Sequence, residues 1–322
     1  MDTFLSEALW HGFDAVTLEN DGLRVIVVPD TGARIVSLFD KAAGREWLLS
    51  PRESHPYRRL EYGADFNTTT PGGWDEMFPT ILAEAYPGPG QFRGVALPDH
   101  GEVWTVPWAL HAGEGETIRT SVDGQALPYR LVRGLALSGP RAMTLRYALA
   151  NLGSAPLFYL WAAHPQFACD PGATIVLPDG VREVVNVLPP PWGAEWGAPG
   201  ARHAWPQTTG ASGQTHAVDT VGPATLGRGR KFYILPDAPI SRAGLRDPVA
   251  GCSLWLEWDA AAAPYCGVWI DEGMLNARPS VAIEPTTGYY DTLNTAWKNR
   301  RLAVVEPGAV ARWELTVTLT SD

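Results

Sequence analysis

A glycine or proline falls at close to every fifth position of this chain, with 33 glycines and 28 prolines in 322 residues. Glycine weakens a helix interior, and proline breaks it by removing a backbone donor and clashing with the preceding turn. The sequence is thereby cut into short pieces, and within them apolar residues alternate with polar ones. Met143, Leu145, Tyr147 and Leu149 interleave with Thr144, Arg146 and Ala148; Trp313, Leu315, Val317 and Leu319 interleave with Glu314, Thr316 and Thr318. A period of two marks strands with one buried face. Residues 23–29 and 34–40 read as strands joined by the turn at 30–33. Further strands are expected near 173–177, 184–187, 232–235, 253–258 and 267–270. Residues 50–70 read as a long loop, and the Pro/Gly/Trp-rich stretch 189–213 as a loop packed on the body or over a site. No helix beyond a turn or two and no domain break is expected. The expected fold is all-β, one large antiparallel β-sandwich domain spanning residues 1–322.

The net charge of −10 argues against nucleic acid as a partner. No apolar run approaches the roughly 18 residues a membrane helix needs, and residues 1–10 lack a basic-then-apolar leader. Cys169, Cys252 and Cys266 are far apart and form no C-x-x-C pair, which fits buried thiols in a reducing compartment. A soluble cytoplasmic protein is expected. The 14 tryptophans can fill a core or form platforms for the apolar face of a sugar, and composition does not separate these uses.

Two segments share one design, an apolar run delivering a titratable residue with proline directly after it. They are Ala162-Ala163-His164-Pro165 and Val281-Ala282-Ile283-Glu284-Pro285. Proline restricts both itself and the residue before it, so His164 and Glu284 are positioned groups. Asp99-His100-Gly101-Glu102 adds a second histidine between carboxylates, and Gly72-Gly73 precedes Trp74-Asp75-Glu76 on what reads as an irregular turn. Two histidines and a glutamate could hold a metal, although the spacing is unlike H-E-x-x-H. They could belong to a nucleophilic triad, although no G-x-S-x-G elbow is present. They could be a general acid and base facing a small substrate, a pairing suited to moving two protons at once.

In joint order, residues 72–79, 99–102, 163–165 and 283–288 resemble the aldose 1-epimerase (galactose mutarotase-like) family, from about residue 20 to the last strand. The resemblance implies a supersandwich fold with a carbohydrate cleft, a small-molecule sugar substrate and no cofactor or metal. It implies that Glu284 takes the proton from the sugar's C1 hydroxyl and His164 protonates the ring oxygen. The ring then opens to an aldehyde, rotates about C1–C2 and recloses as the other anomer. His100 matches the histidine that hydrogen-bonds near the ring oxygen. The galactose enzymes carry an Asn-Arg pair before the first histidine and an aspartate before a later Phe-rich strand. This chain offers Arg93 and Asp75 in the first region and Lys231 in the second, leaving the sugar open. Asp75 is the expected replacement hydroxyl ligand, with Trp74, Arg93 and Lys231 as further substrate-binding candidates. Alternatives are a hexose-phosphate 1-epimerase using Arg58 and Arg59, or a non-catalytic sugar-binding protein on the same fold. A glycosidase would need a second carboxylate across the bond, and only Glu284 has the right setting. Oligomeric state is not legible in the sequence.

Overall fold

The computed structural model describes residues 3–51, 57–69, 72–111, 116–189, 192, 194–209 and 213–321. Of the segments discussed above, residues 1–2, 52–56, 70–71, 190–191, 193 and 210–212 lie outside them. Among the described residues, two antiparallel sheets of 13 and 8 strands carry the fold. The alternating residues pack the smaller sheet: Met143, Leu145 and Tyr147 stand opposite Val317, Leu315 and Trp313, all buried. The Tyr147 and Trp313 rings stack at 5.2 Å. Burial of each such side chain is worth about 1.5–3 kcal/mol.

The larger sheet starts at the hairpin of Phe4–Trp10 and Phe13–Glu19. It continues through Leu23–Val28 and Arg34–Asp40 to the strands that matter most here: Trp74–Met77, Ala162–Pro165, Ser280–Thr286, Tyr265–Glu272 and Arg228–Ile234. The inner residues of these strands, including Val281, Ile283, Val268, Ile270, Phe232 and Ile234, join one apolar core shared with the smaller sheet. Strand alternation therefore turns their neighbours Glu284, Ala282, Gly267, Trp269, Lys231 and Tyr233 to the opposite face. That outer face carries the site.

Three local expectations change. Trp74–Met77 is a buried strand, not an irregular turn, because it is laddered to the His164 strand from Met77↔Ala162 to Trp74↔Pro165. The apolar run that delivers His164 is short and does not continue the strand before it: Leu157–Tyr159 pairs with Ala303–Val305, while Ala162–Pro165 joins the large sheet. The N-terminal hairpin and the Arg242–Asp247 strand form where no strand was expected. Among the described residues, no helix is long and apolar enough to cross a membrane.

Candidate active site

The His164 and Glu284 strands are neighbours whose ladder is intact at only two places. Ala162 pairs with Thr286, and in the following short strand Phe167 pairs with Val281. Both fragments keep one register, so His164 stands directly opposite Glu284. The Thr287 N–H donates to Trp161 O at 2.9 Å. Alternation from that bond makes Ala163–Pro285 and Ile283–Pro165 the hydrogen-bonded pairs. Each contains a proline, which has no N–H to donate. The two X-Pro motifs thus open the ladder, and the intervening closely spaced pair, His164 and Glu284, projects from one face.

His164 is oriented from behind. Its Nδ1 lies 3.1 Å from Asp75 Oδ1, which also accepts from Arg34 Nη1 at 2.9 Å. Burial acts to raise the Asp75 carboxyl, but Arg34 and then His164 outweigh it and hold the group well below the usual carboxylate range. A carboxylate only accepts hydrogen bonds, so Nδ1 carries the donated proton and Nε2 is left for the cavity. Asp75 itself is fully enclosed and is not among the residues lining the cavity. The ladder sets it on the same face as His164, but Arg34 and the His164 ring cover it there, so the expectation that it contacts a sugar hydroxyl gives way to a positioning role. Trp74 is also fully buried, edge-on to Phe167. Arg93 is exposed in a surface turn. Neither lines the cavity.

His100 arrives from the loop. It has φ 57° and is followed by Gly101 at φ 75°, a left-handed pair that a side chain at 101 would forbid, since its Cβ would fall 1.9 Å from Phe78 O. His100 N donates to Ile81 O at 2.6 Å and Glu102 N to Phe78 O at 2.7 Å, pinning the turn beside the Asp75 strand. The His100 ring stacks on Phe66 at 4.1 Å and meets His164 edge-on at 5.1 Å. Its Nδ1 is 3.1 Å from Asp99 Oδ2. Burial would raise Asp99, but the hydrogen bond and charge of His100 prevail and hold it below its ordinary value.

On the other side, Lys231 Nζ lies 3.0 Å from Glu284 Oε2 and 3.1 Å from Asp291 Oδ1. Burial works against this ammonium, yet Asp291 and Glu284 hold it above its usual range. Glu284 has room to adopt this pose because residue 267, beside it in register, is glycine. A Cβ there would come within 3.1 Å of both Glu284 Oε2 and Tyr233 Cζ. Gly267→Ala is therefore expected to displace the carboxylate with little change in melting temperature, a shift that a role for Glu284 in proton transfer would register as about a tenfold loss of rate. Steady-state rates beside thermal unfolding check this; unchanged rates would show that the carboxylate tolerates the shift.

His100, His164, Lys231 and Glu284 line one cavity of about 500 Å³. Sequence reasoning missed several of its other residues: Asp291, Trp269, Met274 and Leu275 follow no motif, and Phe66 and Asn67 lay in a stretch without period. Of the tryptophans, Trp47, Trp74, Trp104 and Trp161 are fully buried, whereas Trp192 and Trp269 line the cavity. Arg59 pairs with Asp30 at the exposed surface, and neither Arg58 nor Arg59 lines the cavity. A larger hollow of about 950 Å³ against the smaller sheet holds none of the expected site residues. Among the described residues, no three His, Cys, Asp or Glu side chains are grouped to hold a metal ion.

No protein-family model and no curated protein matches this chain. Solved structures do. A galactose mutarotase-like protein from Lactobacillus casei ATCC 334 superposes with TM-score 0.68 at 16% identity, over 95% of this chain and 100% of that one. One from Clostridium acetobutylicum gives 0.68 at 13% identity, over 100% and 99%. A candidate aldose 1-epimerase from Klebsiella pneumoniae gives 0.72 at 17% identity, over 100% and 85%. At such identities the likeness concerns architecture, and in architecture this chain has the galactose mutarotase-like fold.

Proposed function

We propose that this chain, acting as one domain, is an aldose 1-epimerase that interconverts the anomers of an uncharged aldose. The observation that carries the reading is the opposed pair, His164 and Glu284, projecting from the same face into one cavity, with Asp75 committing His164 Nδ1 and leaving Nε2 for transfer. In this reading Glu284 accepts the C1 hydroxyl proton while His164 delivers one to the ring oxygen. The C1–O5 bond breaks, the aldehyde rotates about C1–C2, and the two groups exchange roles as the ring recloses. Each group ends where it began, so the reaction calls for no external acid or base. His100, fixed beside His164, hydrogen-bonds near the ring oxygen, and Lys231 and Asp291 are placed to contact hydroxyls near C1.

An uncharged sugar suits the cavity better than a phosphorylated one. Asp65, Asp99, Glu284 and Asp291 line it against the single ammonium of Lys231, and no arginine is among its described lining residues. The three buried free cysteines suit a reducing, cytoplasmic setting. The test is polarimetry or anomeric-proton NMR on freshly dissolved α-glucose, α-galactose and their 6-phosphates. Acceleration with the free sugars is expected, and His164→Asn should lower it about 10²–10⁴-fold. No acceleration with any of them, together with saturable quenching of tryptophan fluorescence, would replace the enzyme by a sugar-binding protein.

A further inference from the structure

The cavity is chemically lopsided. The facing pair, His164 and Glu284, stands on adjacent strands, and beyond Glu284 the lining becomes a largely apolar wall around Lys231, whose ammonium is turned to Glu284 and Asp291. Trp269 is in register with Lys231 on one side and Ala282 on the other. Val187 follows the adjacent strand, its N–H bonded to Lys231 O at 3.0 Å. Met274 packs near Trp269, since a Cβ on Gly229 would touch both side chains. Leu188 and Leu275 complete the wall, and all five residues line the cavity while remaining half-buried. The volume of about 500 Å³ exceeds what one hexose ring fills and lies in the range of sites for larger ligands.

Hydroxyls pressed against Val187, Leu188, Met274 and Leu275 would lose their water without gaining partners, which disfavours binding. An apolar group there would gain from burial. We infer that this wall is a second subsite, and that the aldose it serves carries an apolar substituent, an O-alkyl or O-acyl chain, on the C2–C3 side of the ring. This rests on the reading of His164 and Glu284 given above. With the ring oxygen at His164 and the C1 hydroxyl at Glu284, the line from O5 to C1 continues across the sheet to Gly267, and Trp269, two residues along that strand, puts the wall on the Glu284 side of the ring and not on the His164 side. Carbons 2 and 3 therefore face the wall, and carbon 6 lies on the opposite side.

The experiment compares glucose, 3-O-butylglucose and 6-O-butylglucose in two assays, anomer exchange by NMR and binding by tryptophan fluorescence. The 3-O-butyl sugar is expected to exceed glucose at least about tenfold in kcat/KM, as added methylenes in an apolar pocket do. The gain should appear in KM, and 6-O-butylglucose should show none. In Leu188→Ser and Met274→Ser the preference should shrink severalfold. Equal constants for glucose and 3-O-butylglucose, or exclusion of the latter, would overturn the subsite. An equal gain from 6-O-butylglucose would overturn its placement. If no sugar is epimerised, binding still decides. A tenfold preference for 3-O-butylglucose keeps the subsite while the catalytic reading falls, and no preference removes both.

Discussion

Glu284→Gln is expected to lower anomer exchange by about 10²–10⁴-fold, the usual worth of one acid–base group, while sugar binding stays within a few-fold of the parent. The amide keeps the shape of the side chain and can still hydrogen-bond, but it cannot accept the C1 proton. Lys231 keeps Asp291 at 3.1 Å, so the substitution leaves that ammonium with one of its two carboxylate partners. Trp192 and Trp269 line the cavity and report binding by fluorescence independently of turnover. Loss of exchange with binding retained places the carboxylate in the chemical step. Undiminished exchange would remove Glu284 from the mechanism and, with it, the opposed-pair reading.

The second large effect lies beneath the site and concerns stability. Glu76 and Arg133 are both buried, with Glu76 Oε1 accepting from Arg133 Nη1 and Tyr147 Oη at 2.9 Å each, and Oε2 accepting from Trp161 Nε1 at 2.8 Å. Arg133 and Tyr147 belong to the smaller sheet, whereas Glu76 belongs to the larger and Trp161 directly precedes the His164 strand. This polar knot joins the sheets beneath His164 and Glu284. Arg133→Met should cost about 3–5 kcal/mol, because it strands a buried carboxylate. For a chain of this size that is a fall of roughly 4–7 °C in melting temperature. The loss should depend on pH with a definite sign. Burial already raises the Glu76 carboxyl, opposed by Arg133, Tyr147 and Trp161, and removing the arginine raises it further. A buried acid with a raised folded pKa binds its proton more tightly than the unfolded chain does. Stability therefore falls as pH rises from about 4.5, the ordinary glutamate value, up to the raised value. Thermal unfolding of the variant should show a deficit larger at pH 8 than at pH 5. A deficit independent of pH would mean that packing, not the stranded charge, accounts for it.

Much of this was legible because it is local. Period-two alternation predicted the paired strands around Met143–Leu149 and Trp313–Leu319, since each side chain's face depends only on its neighbours along the strand. The two X-Pro motifs marked His164 and Glu284 because proline acts on its own and the adjacent residue. Asp75 was misplaced for the converse reason. A carboxylate after two glycines reads as a surface turn unless Arg34, far upstream, neutralises it and the His164 strand ladders beside it. Arg93 invited a role by proximity to His100 in sequence, yet the turn it occupies is exposed.

The sequence alone determined that the chain would form short strands, which faces of them would be apolar, and that His164 and Glu284, each followed by a proline, would be restricted in their backbone. It could do so because these are properties of neighbouring residues. Only the tertiary structure decided that His164 lies opposite Glu284, that Asp75 stands behind the histidine, and that Gly267 makes room for the glutamate. It also decided that Lys231 reaches Glu284 while an apolar wall faces the same cavity. Each of these depends on strand order and register between segments far apart in sequence, and no local pattern encodes which strand becomes whose neighbour.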